Sequence, residues 1–94
     1  MTVLVPETVA KEAIHGFRFE PQEVLSQHEQ EQRSRDLFKA MVMGNTYRHK
    51  VTITFQTQDG LKQVVTTVWG LTNRWVLLKN GIQIPIKQIV RVTV

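Results

Sequence analysis

Three turn signals constrain this chain more than any other feature. Asp59-Gly60, Thr72-Asn73 and Asn80-Gly81 punctuate its last fifty residues and leave only short runs between them. Runs that short cannot hold helices of ordinary length, but they suit strands. Val51, Ile53 and Phe55 alternate with Thr52, Thr54 and Gln56, the pattern of a half-buried strand. Asp59-Gly60 predicts a type I′ hairpin, whose two central residues both take positive φ. The return run from Lys62 to Leu71 carries apolar groups on both faces, so it is central or strongly bent. Gly70 marks a bulge or corner within it. Trp75 to Leu78 forms the next strand, and Asn80-Gly81 gives a second I′ signal. Ile82, Ile84 and Ile86 alternate around Pro85, and Val90, Val92 and Val94 alternate after Lys87-Gln88 shifts the parity. Five short antiparallel strands joined by tight turns predict a strongly bent small barrel that limits its edges by near-closure.

The first 44 residues read as helical. Thr2 to Val5 is a short strand or an apolar tail. Pro6 suits a first helical position, Val9, Ala10, Ala13 and Ile14 follow on one side, and Gly16 offers a left-handed stop. Phe17-Arg18-Phe19 is an extended connector with both rings on one side. Glu20-Pro21 opens a second helical stretch that Gly44 closes. Ser26 to Asp36 contains no apolar residue, so this stretch is one helix with a solvated middle or two helices. The pattern favours one; in the alternative, Ser34 caps a second helix from Arg35 to Met43. The expected fold is therefore α+β, a single domain of residues 1–94 with an acidic helical part packed on a basic β-meander.

Charge divides at the same place. Residues 1–36 hold four basic and seven acidic side chains, and residues 37–94 hold eight basic ones against Asp59 alone. A basic unit of this kind attracts polyanions, or else the acidic preface folds against it and neutralises it. With 41% hydrophobic residues and no cysteine, the chain has one small core that no disulfide reinforces. The helices, or a second copy in a homodimer, are the expected cover. Met1 to Val5 is too short for a signal sequence and no apolar run is long enough to span a membrane, so a cytoplasmic protein is expected.

Patterns that carry catalysis are sparse. His28-Glu29-Gln30-Glu31-Gln32 has the outline of a zinc-protease helix, but Gln32 stands where the second histidine is required. His15 and His49 are isolated. Ser26 and Ser34 lie in the polar helical stretch with no base beside them. The β-unit offers one carboxylate, Asp59, and its turn explains it. No glycine-rich phosphate loop is present. These observations point to a non-enzymatic binding module that uses no cofactor or metal. Its expected contact residues are Tyr47, Arg48, Lys50, Arg74, Lys79, Lys87 and Arg91, spread over turns and outward strand positions. Trp69 and Trp75 are expected in the core, because a small barrel must fill itself with large side chains.

The order of these elements resembles a known layout. A helix ending in Leu37-Phe38 and Gly44 precedes a strand, Asp59-Gly60, a long bent strand, another strand, Asn80-Gly81 and Ile84-Pro85-Ile86-Lys87-Gln88-Ile89-Val90-Arg91-Val92. Over residues 35–94 this resembles the Sm-like/SH3-like small barrels. Trp69-Gly70-Leu71 and the Ile-Pro-Ile-x-x-Ile ending also resemble bacterial small-barrel proteins. The resemblance implies RNA binding, in rings. The chain departs from that family where Val64, Val65 and Thr66 replace a glycine region and where Lys87-Gln88 replaces a basic pair. Pro85 also removes a backbone donor from a strand that would meet the next subunit. The expected function is a protein-interaction module that accepts a partner at a groove or strand edge; the alternative is an RNA-binding module that uses the basic β-unit.

Overall fold

The computed structural model of the chain describes residues 5–94. The strand or tail expected at residues 2–5 lies outside that range except for Val5, which is exposed. One α-helix and two small sheets make up the α+β fold. Strand β1 (Glu7–Thr8) is followed by a 3-10 stretch at Lys11–Gly16, helix α1 (Gln27–Tyr47), β2 (Val51–Thr57) and β3 (Gly60–Thr66). Next come β4 (Gly70–Leu71), β5 (Trp75–Leu77), β6 (Gln83–Pro85) and β7 (Ile89–Thr93), with single 3-10 turns at Lys79–Gly81 and Ile86–Gln88. The sheets have the orders β1-β3-β2-β7 and β4-β5-β6. β1 runs parallel to β3 and every other pairing is antiparallel. Among the described residues the strands form two separate sheets and do not close into the single five-stranded barrel that was expected.

β2 and β3 pair over their whole length, from Val51↔Thr66 to Thr57↔Gly60. The turn between them is not type I′. Only Gly60 takes positive φ, at 107°, and Asp59 does not. Thr57 stabilises this turn from its side chain: its Oγ1 accepts from the Asp59 N–H at 3.1 Å and donates to the Gly60 carbonyl at 2.9 Å. The second expected turn does form, with Asn80 at φ 66° and Gly81 at φ 73°. Thr72 makes the third turn: its Oγ1 accepts from the N–H groups of Arg74 and Trp75, at 3.2 and 2.9 Å. In β7 a register shift opposite Thr54/Phe55 skips Val90. As a result Ile89 and Val92 face the core, whereas Val90 is half-buried and Val94 is exposed.

The N-terminal third departs furthest from expectation. Where a helix was expected from Pro6 to Gly16, Glu7–Thr8 adds to the edge of β3 and only a 3-10 stretch follows. Gly16 does not take positive φ; the stretch closes when the Phe17 N–H donates to the Ile14 carbonyl. Phe17 and Phe19 do share one side, with ring centroids 6.3 and 6.0 Å from that of Phe55. The second helical stretch is one helix, but it begins at Gln27 rather than at Pro21. Ser26 caps it: its side chain accepts from the Glu29 N–H, and Glu29 returns the bond to the Ser26 N–H. This reciprocal box satisfies two end donors at once. The Ser26 hydroxyl bond, with the Ser26 N–H bond, also holds the Glu29 carboxyl below its usual range.

Gly44 does not end α1; the helix runs on to Tyr47 and stops at Arg48, which adopts the left-handed conformation at φ 53°. Gly44 serves packing instead. A Cβ there would lie 2.6 Å from the Val68 carbonyl oxygen and 2.9 Å from Thr67 Cγ2. Only a glycine lets the helix cross the chain this closely. Leu37, Ala40 and Gly44 make the buried face of α1, over a core of Val51, Ile53, Phe55, Val64, Val68, Val76, Ile84 and Ile89. Each fully buried aliphatic or aromatic side chain contributes about 1.5–3 kcal/mol. Trp69 and Trp75 are not in this core, being 55% and 39% exposed. Phe55 fills the interior together with β-branched and leucine side chains, and the indoles stay on the surface. Among the described residues, no helix is long and apolar enough to cross a membrane.

Candidate basic groove

Where α1 ends against the sheets, a groove of about 620 Å³ opens. Three features of the local fold build it. Gly44 brings the last turns of α1 onto the chain at Thr67-Val68. The left-handed Arg48 then turns the chain sharply into β2, so Arg48 and Lys50 stand at the rim. The Lys79–Gly81 turn and the 3-10 stretch bring up Lys79 and Lys11. The floor is Val65, Thr66 and Thr67, and Trp69 forms one wall.

Four cations line this groove and no carboxylate does. Among the described residues, none of Arg48, Lys50 and Lys79 pairs with a carboxylate; Lys11 approaches Glu12 at 3.8 Å. Apart from Glu12 beside Lys11, the acidic preface therefore leaves the rim unpaired. Among the described residues it reaches the basic β-unit in one ion pair, Lys62 with Glu7 at 3.0 Å, and that lysine is buried over the Phe17 ring.

The seven expected contact residues separate into different places. Arg48, Lys50 and Lys79 share the basic groove. Arg74 and Lys87 line a second groove of about 770 Å³ with Leu71, Trp75, Pro85 and Ile86, where Glu20 and Glu23 accompany them. Arg91 lies beside a smaller hollow that Glu29 and Asp36 also line. Tyr47 is exposed at the end of α1 and lines none of the three. Lys11 joins the site without having been expected, because its position depends on how the 3-10 stretch folds beside β3.

The polar stretch of α1 is not wholly solvated either. Arg33 is 6% exposed. Its Nη1 donates to Glu23 Oε2 at 2.8 Å and to the Ile89 carbonyl at 3.0 Å, and its Nη2 donates to Glu23 Oε1. Burial alone would raise the Glu23 carboxyl. The Arg33 hydrogen bonds, the Leu25 N–H and the Arg33 charge together outweigh it and hold Glu23 below its usual range. Gln88, also buried, donates to the Gln22 carbonyl at 2.6 Å, and the Val24 N–H donates to the Lys87 carbonyl at 3.1 Å. These bonds fasten residues 22–25 across the 3-10 turn before β7. They are structural and lie on the second groove, away from the basic one.

Among the described residues, no group of three His, Asp or Glu side chains is placed to hold a metal ion. Compared with known proteins, the chain matches no family model, no curated protein and no solved structure.

Proposed function

We propose that this chain is a non-enzymatic binding module and that its basic groove holds a polyanion of the RNA class. One observation carries the reading: Lys11, Arg48, Lys50 and Lys79 converge on one groove that no carboxylate lines. A cluster of that composition gains counterion-release energy from phosphates, which carboxylate-balanced surfaces lack. The scaffold reading that goes with it is a small barrel of the Sm-like/SH3-like type, opened along one side. β3 and β4 are then two halves of one bent strand, since the Trp69 N–H donates to the Leu77 carbonyl at 2.9 Å and extends the β4–β5 ladder backwards. β7 returns to pair with β2, as the fifth strand of such a meander does.

A second reading, a protein partner, rests on the other groove. There Leu71, Trp75, Pro85 and Ile86 offer apolar surface between charges of both signs. Mixed apolar and charged lining suits a polypeptide better than a phosphate chain.

Binding of short single-stranded RNA at two salt concentrations tests the first reading. Four phosphate contacts give a slope of about −3 in log K against log salt, so affinity falls about 50-fold between about 50 and 200 mM. Arg48→Glu combined with Lys50→Glu abolishes binding at low salt, whereas Arg74→Glu with Lys87→Glu leaves most of it. Absence of RNA binding by the unmodified chain at low salt overturns the reading.

A further inference from the structure

Resting on that reading, we infer that the groove selects unpaired nucleotides: one base stacks on Trp69 while the flanking phosphates lie on Lys11, Arg48, Lys50 and Lys79. Charge alone does not separate a single strand from a duplex or from any other polyanion. Trp69 does. Trp69 is 55% exposed on the wall of the groove, although its neighbour Val68 is fully buried and its backbone N–H donates to the Leu77 carbonyl. The backbone is thus fixed while the ring stands free. Among the described residues, no aromatic ring or cation is stacked on it. An exposed indole costs hydration free energy that a stacked base removes, and every base has a face to offer.

The floor adds a second requirement for an unpaired base. β1 covers β3 only as far as Gln63, whose carbonyl accepts from the Val9 N–H at 2.9 Å. Backbone groups alternate sides along a strand, so the N–H and C=O of Val65 face the same way as those of Gln63. Among the described residues no strand lies beside them past the end of β1, and Val65 is 53% exposed on the groove floor. One donor and one acceptor beside a stacking ring can meet the edge of a base. In a duplex that edge is already paired and the base faces are covered. This groove is also separate from Lys87, the basic position that the family resemblance would offer.

Fluorescence anisotropy with a labelled short RNA of mixed sequence, single-stranded or annealed to its complement, tests this, with heparin as a polyanion that has no bases. The single strand is expected to bind more tightly than the duplex. Trp69→Ala is expected to weaken single-strand binding about 5- to 100-fold while changing heparin binding less than twofold, and Trp69→Phe to keep most of the affinity. Because Trp69 is at the surface, the alanine variant keeps its fold, which circular dichroism checks. In a Trp75→Phe background, quenching of the remaining indole by the single strand and not by heparin gives an independent readout. Equal binding of single strand and duplex with no effect of Trp69→Ala overturns the inference and leaves the polyanion reading standing. Failure of every nucleic acid to bind, or tighter binding of an acidic polypeptide, overturns both.

Discussion

Removing Glu23 should expose how much the fold depends on the buried Arg33. In Glu23→Ala the guanidinium keeps the Ile89 carbonyl but loses both carboxylate bonds, and its Nε has no hydrogen-bond partner to begin with. Breaking a fully buried pair costs about 3–5 kcal/mol. The Glu23 side chain is 23% exposed, against 5% for Arg33, so water screens part of that loss. The expected destabilisation is about 2–3 kcal/mol, a fall in Tm of about 10–20 °C for a domain of this size. Arg33→Met removes the buried charge together with its unpartnered Nε, and leaves Glu23 hydrated. It should cost about 1 kcal/mol or less. Urea unfolding followed by tryptophan fluorescence measures both. The pH dependence has a definite sign. The folded-state pKa of Glu23 lies below its unfolded value, so its contribution is complete above the unfolded pKa and is lost as pH falls through the folded one. The gap between the wild type and Glu23→Gln should therefore be constant near neutrality and narrow below about pH 4.3. A larger loss for Arg33→Met than for Glu23→Ala would refute the reasoning.

Gly44→Ala should destabilise the protein by about 1 kcal/mol, although alanine is the better helix former by a similar amount. The new methyl meets the Val68 carbonyl at 2.6 Å, and a gain in urea midpoint would show that the chain there yields freely. Phe55→Ala should cost about 3–5 kcal/mol, because Phe55 is fully buried and both Phe17 and Phe19 rest on it. In hydrogen exchange the same variant should release the Phe17–Phe19 connector before β2 and β3.

The turns were the most legible part of the chain, because positive φ leaves a residue-level mark. Asn80-Gly81 reads correctly, but the type I′ turn expected at Asp59-Gly60 does not form: Thr57 pairs with Gly60, so Gln58 and Asp59 stand at the centre and neither takes positive φ. Alternation found β2 but misjudged β7, where the bulge at Val90 reverses the faces without altering composition. Pro21 and Gly44 looked like helix ends, yet Ser26 with Glu29 sets the start and a close crossing accounts for Gly44. A packing glycine and a stopping glycine are the same letter, and only the partner at Val68 tells them apart. Arg33 sat among charges that looked solvated because its partner, Glu23, precedes the helix and its other acceptor, Ile89, is 56 positions away. The basic residues were visible as a set, but their grouping was not. Which of them share a side depends on how α1 and the Lys79–Gly81 turn meet around β3, and that is long-range packing. Trp69 shows the same limit. Large aromatic side chains are read as core by default, and here Phe55 and aliphatic residues fill the interior while both indoles stay outside.

On the proposed reading, the chain meets its ligand in the groove between the end of α1 and β3. Amide chemical-shift mapping during titration with single-stranded RNA tests it most directly. The claim predicts shifts concentrated at Lys11, Asn45, Arg48, Lys50, Val65, Thr67, Trp69 and Lys79, which line that groove. Shifts confined to Arg74, Trp75, Ile86 and Lys87 would place the ligand in the second groove and contradict it.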